Sequence, residues 1–83
     1  MVQVLFFASL RDAVGVDEIS LPIDDPLTFD RFMAELRTAL SDAAYAAICA
    51  ENVRVAINQE LVDGVRLISA GDEIAFLPPV TGG

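Results

Sequence analysis

One segment of the chain, Thr28 to Leu40, carries a long amphipathic helical stripe: Phe29, Phe32, Met33, Leu36 and Leu40 share one face, and Thr28 stands where an N-cap belongs. The longer apolar segments on either side are patterned as strands. Val2 to Ala8 is β-branched and aromatic, and a polar break from Ser9 to Gly15 leads into Val16 to Ile23, which alternates; the two read as a hairpin. Asp24-Asp25-Pro26 stops the second strand before the helix. After it, Ala43 to Ala50 forms a short alanine-rich helix or a kinked continuation, and Val53 to Ile57 alternates as a third strand. Asn58-Gln59-Glu60 turns, Leu61-Val62 makes a brief edge strand, Asp63-Gly64 turns again, and Ala70-Gly71-Asp72 resets the chain for a last strand, Glu73 to Leu77. A single main helix covers only one face of a sheet, so this order predicts an α+β domain, a mixed sheet of four to five strands over one main helix, with its other face open.

Strand parity divides the side chains between those faces. Val2, Val4 and Phe6 point one way, as do Val53, Val55 and Ile57, and Ile74 and Phe76; these sets are the expected core. Leu5, Phe7, Ala75 and Leu77 have the opposite parity, with Leu61 nearby. They form either an apolar docking patch or a surface covered by the loop from Leu67 to Ala70.

The last strand runs into Pro78-Pro79-Val80-Thr81-Gly82-Gly83. Neither proline can donate to a sheet ladder, and both hold φ near −65°, so the strand stops and the chain leaves it extended and stiff. Gly82 and Gly83 have no Cβ, which lets a terminal carboxylate enter a slot too narrow for any other residue. This organisation predicts a folded domain over residues 1–78 and an extended tail over residues 79–83, the tail being the working part.

At 83 residues the chain is one domain that buries only about 60–65% of its unfolded surface, with no room for a large internal cleft. Strand-like residues follow Met1 directly, so no export leader is expected and the cytoplasm is the default location. Five arginines against thirteen acids give a net charge of −8, which disfavours nucleic acid and anionic membranes and favours a basic partner surface. The chain has no histidine, and its single cysteine rules out an internal disulfide and a cysteine metal cluster, so catalysis by its own side chains is not expected. Cys49 is expected to be a small hydrophobe on a helix rather than a sulfur-relay thiol, because no neighbouring cation in sequence would lower its pKa. With no lysine anywhere, an activated carboxyl end would meet no side-chain amine of its own.

Val4-Leu5-Phe6-Phe7-Ala8, Arg11 with Gly15, Val55-Ala56-Ile57-Asn58-Gln59 with Leu61-Val62, and above all Gly71 to Gly83 resemble the small subunits of molybdopterin synthase. These are sulfur-carrier proteins of the ubiquitin-like β-grasp fold. From Asp24 to Glu51 the match is one of pattern only. The resemblance implies a non-catalytic subunit whose chemistry takes place on the large subunit. An ATP-dependent activating enzyme would adenylate the Gly83 carboxylate, a sulfur donor would convert it to a thiocarboxylate, and the tail would then deliver sulfur to the cyclic pyranopterin precursor. Carried over residue by residue, Gly83 bears the sulfur, Gly82 gives clearance, and Val80 and Thr81 line the partner's tunnel. Phe7, Leu61 and Leu77 dock, and Arg11 makes a rim or loop contact. Leu77 stands where many relatives have an aromatic residue. The chain itself would bind no cofactor and no metal, and ATP would be used by the activating partner. Three alternatives share parts of the pattern: a carrier for thiamine-type thiazole synthesis, generally shorter and without the double proline, a ubiquitin-like protein modifier, and a plain binding module.

Overall fold

Five strands form one sheet because the β-patterned segments pair in a register that keeps their apolar parities together. The computed structural model describes residues 1–62 and 66–79. In chain order the elements are β1 (Val2–Phe6), α1 (Ser9–Val14), β2 (Glu18–Leu21), α2 (Phe29–Ala39), α3 (Asp42–Ile48), β3 (Arg54–Ile57), β4 (Glu60–Val62) and β5 (Glu73–Leu77). The sheet order is β2-β1-β5-β3-β4. All its pairings are antiparallel except one, in which β1 and β5 run parallel with Phe6 beside Phe76. The first and last strands therefore lie side by side and end at the same edge of the sheet. This is the ubiquitin-like β-grasp arrangement, with five strands.

α2 begins where the sequence places it. The Thr28 hydroxyl accepts a hydrogen bond from the Arg31 amide at 3.2 Å, while Phe32 and Leu36 are fully buried. α3 is a separate helix rather than a continuation: Leu40 adopts extended backbone, and the Ser41 hydroxyl accepts from the Ala44 amide at 3.1 Å to start a new N-cap. The Arg37 guanidinium lies 5.2 Å from the centroid of the Tyr45 ring and links the two helices.

Val2, Val4, Phe6, Ile57, Ile74 and Phe76, all placed in the core by parity, are buried, and Phe6 stacks on Phe76 at 6.0 Å. Val53 and Val55 are partly buried against them. The core takes in Ile68 as well, whose backbone pairs with Leu27. This pairing draws the loop to the helical side of the sheet, so it does not cover Phe7, which stays 44% exposed.

Several expectations are corrected. Ser9 to Val14 is a helix, not a polar break, because Leu10 and Val14, four residues apart, both turn to the core and Gly15 ends the helix at φ 96°. β1 and β2 are thus antiparallel partners joined by a helix rather than by a tight turn. β1 stops at Phe6 because Ala8 has φ 51°, which no strand accommodates, and β2 covers only Glu18–Leu21, closed by Pro22. Cys49, expected as a small hydrophobe on a helix, is the exposed C-cap that follows α3. Its contact with the Tyr45 phenol, together with desolvation, pushes that phenol above its ordinary pKa, while the Arg37 guanidinium pulls it the other way. The turn expected at Asp63-Gly64 lies outside the described residues.

Candidate functional site

The open face of the sheet can be built row by row from the strand register. Leu5 pairs with Ala75, Ala75 with Ala56 and Ala56 with Leu61, so one row runs Leu5-Ala75-Ala56-Leu61 across four strands. Ala75 and Ala56, each 7% exposed, are too short to rise above their neighbours, so they form a floor between the two leucines. The burial of Ala75 departs from the exposed place that parity alone assigned it.

The next row lies at the end of β5. β1 and β5 are parallel, so Phe7, just past β1, stands beside Leu77 at the end of β5, and its amide donates to the Phe76 carbonyl at 3.3 Å. Arg54 pairs with Leu77 from the other side. Phe7, Leu61 and Leu77, far apart in sequence, thus border one apolar groove floored by Ala56 and Ala75, with Leu5, Gln59 and Glu73 at its margins. Beyond Phe7 and Leu77 the groove continues as a cleft of about 730 Å³, walled also by Ala8, Asn52, Arg54, Pro78 and Pro79. Pro78 and Pro79 are the residues that directly follow β5. Leu61 and Phe7 are 58% and 44% exposed, so a large apolar area faces water on an otherwise acidic molecule.

Leu61 sits on a three-residue edge strand, and a polar clamp supports that strand. Asn58 and Gln59, at φ 51° and 71°, make the tight turn from β3 into β4. The Asn58 side-chain amide donates to Asp72 Oδ1 at 3.0 Å, and its carbonyl oxygen accepts from the Glu73 amide at 2.9 Å. Asp72 Oδ2 accepts in turn from the Ser69 amide at 2.8 Å, and the Asn58 amide donates to the Glu73 carbonyl at 2.8 Å. The turn that leads to Leu61 is thereby locked to the start of β5.

Arg11 is not part of this groove: it lies exposed on α1. Arg54 and Asn52 are part of it, and the sequence reading passed over both. For Arg54 the signal was present, since it has opposite parity to Val53, Val55 and Ile57. Val80, Thr81, Gly82 and Gly83 lie outside the described residues. Among the described residues, no group of three His, Cys, Asp or Glu side chains is placed to hold a metal, and no helix is long and apolar enough to cross a membrane.

The sequence profile of the ThiS family matches residues 4–83, from β1 through the diglycine. The chain belongs to the ThiS family. Among its curated relatives are the molybdopterin synthase sulfur carrier subunits of Haemophilus influenzae, 41% identical, and Escherichia coli K12, 39% identical, each aligned over the whole of both chains. The fold of this ThiS-family chain is also that of solved structures. In the complex of subunits 1 and 2 of molybdopterin-converting factor from Helicobacter pylori, the matching chain is 26% identical, with a TM-score of 0.61 over 99% of this chain and 97% of that one. The small archaeal modifier protein 1 of Methanosarcina acetivorans is 26% identical, with a TM-score of 0.73 over 99% and 95% of the two chains.

Proposed function

We propose that this chain is the sulfur-carrier subunit of a molybdopterin synthase, a folded domain over residues 1–78 that presents residues 79–83 to its partners. The observation that carries the reading is the end-to-end identity of 39–41% with two sulfur carrier subunits of that enzyme. The Helicobacter pylori complex supports a large subunit as the partner. The groove supports a place for that subunit to dock, because it lies at the root of the tail.

Phe7, Leu61 and Leu77 make the apolar contact, and Arg11 makes a peripheral one. The stiff Pro78-Pro79 step directs the tail away from the groove, Val80 and Thr81 line the partner's tunnel, and Gly82 passes its narrowest point. Gly83 carries the chemistry. A carboxylate is a poor electrophile, so an activating partner uses ATP to make the Gly83 acyl-adenylate and releases pyrophosphate. A sulfur donor then displaces AMP and leaves a thiocarboxylate, whose sulfur is a good nucleophile toward the cyclic pyranopterin precursor held by the large subunit. The chain itself holds neither cofactor nor metal and works in the cytoplasm.

Deletion of Gly83 is expected to abolish sulfur transfer while the circular dichroism spectrum and melting temperature stay those of the intact chain. Sulfur transfer by the truncated chain would overturn the proposal. The likeness to a small archaeal modifier protein favours one second reading, in which the activated Gly83 is joined to lysines of other proteins. High-mass conjugates in host extracts, lost with Gly83, would select it.

A further inference from the structure

Among the residues that line the cleft beyond Phe7 and Leu77, Ala8 and Asn52 have positive φ, and Ala8 is the one whose backbone asks for glycine. Its φ of 51° and ψ of −124° match the first central position of a type II′ turn, a conformation that belongs to glycine. Four non-glycine residues among those described have positive φ: Ala8, Asn52, Asn58 and Gln59. The last two form the turn from β3 to β4, and asparagine tolerates the left-handed region, which accounts for Asn52. Alanine has no such tolerance.

The fold gains nothing visible from the methyl group. Ala8 is exposed, and as N-cap of α1 it offers no side-chain hydrogen bond. Glycine would turn the chain here without strain. It would cost some entropy in the unfolded state, but alanine at positive φ destabilises by more than that entropy saves. What Ala8 does contribute is wall: with Phe7, Arg54, Pro78 and Pro79 it lines the cleft at the end of β5. Strained backbone that serves no local purpose marks a site of function.

We infer that the Ala8 methyl group is a specificity-determining contact of the groove, held at the expense of fold stability so that it packs against an apolar group of the large synthase subunit beside the tail. This rests on the proposed function. Ala8 is a contact residue, and it touches none of the reacting atoms.

The test compares three full-length chains, with Ala8, Ala8→Gly and D-alanine at position 8, the last made by chemical synthesis. Each is melted alone and titrated calorimetrically with the large subunit. Glycine removes both the methyl group and the rigidity. D-Alanine takes positive φ without strain and restores rigidity, but directs its methyl group elsewhere. Both variants are expected to melt higher than the natural chain, by about 4 °C or more. Both are expected to bind the large subunit more weakly, by about fourfold or more, the loss of one buried methyl group. A lower melting temperature for Ala8→Gly would overturn the claim of strain. Undiminished binding by Ala8→Gly, or full recovery with D-alanine, would overturn the role of the methyl group. If the natural chain fails to bind the large subunit, the proposed function falls, and this inference with it.

Discussion

The two faces of the sheet are made from the same strands, often from adjacent residues, yet they are built to opposite rules. On the helical face Val2, Val4, Phe6, Ile57, Ile74 and Phe76 are each no more than 2% exposed, packed beneath α2 with Phe32 and Leu36. On the open face Phe7 and Leu61 stand in water over a floor of two alanines. The first face spends its apolar surface on folding and keeps none for a partner. The second withholds it from folding, so the same kind of residue there is available for binding. A chain of 83 residues has little stability in hand, which makes this division informative: surface that could have been covered has been left open at the root of the tail.

Mutations should separate the two faces cleanly. Phe32→Ala should cost about 3–5 kcal/mol by leaving a cavity under the sheet. This is a large share of the stability of so small a domain, and urea denaturation should show the variant largely unfolded at 37 °C. Phe7→Ala should do the reverse. Its melting temperature should stay within a few degrees, while affinity for the large subunit measured by calorimetry falls by about 2 kcal/mol, roughly thirtyfold. If Phe7→Ala unfolds the domain, or binds unchanged, the contrast between the faces fails.

Asn58→Ala tests the clamp that holds the turn before Leu61 to β5, because it removes two side-chain hydrogen bonds and leaves alanine at φ 51°. A loss of about 1–3 kcal/mol is expected in urea melts. Asn58→Gly should recover only the part owed to backbone strain. The smallest effect should come from Thr28→Ala, about 1 kcal/mol from the lost cap of α2, with no change in binding.

Much of this contrast can be read from the chain because a strand has period two. Parity alone separates Val4 and Phe6 from Leu5 and Phe7, and the stripe from Phe29 to Leu40 identifies the helix that covers one side. Parity would have placed Arg54 on the open face as well, had it been applied to polar residues. Three features were not legible. α1 has only Leu10 and Val14 to show for itself, too few apolar positions to set a helical period apart from a polar loop. The strain at Ala8 leaves no mark in composition, since alanine there reads as the end of a strand. The burial of Ala75 depends on its neighbours in the sheet, which a single strand does not show. The strand order predicts a mixed sheet but leaves open which strands run parallel; the pairing of β1 with β5, which brings Phe7 beside Leu77, comes from the structure alone.

The most direct test is mass spectrometry of the intact chain and its C-terminal peptide, isolated from its host and again after incubation with ATP, the activating enzyme and a sulfur donor. A population in which sulfur replaces one oxygen of the Gly83 carboxylate is the predicted result. A Gly83 that stays wholly unmodified under both conditions would contradict the account, leaving a domain with a groove and no cargo.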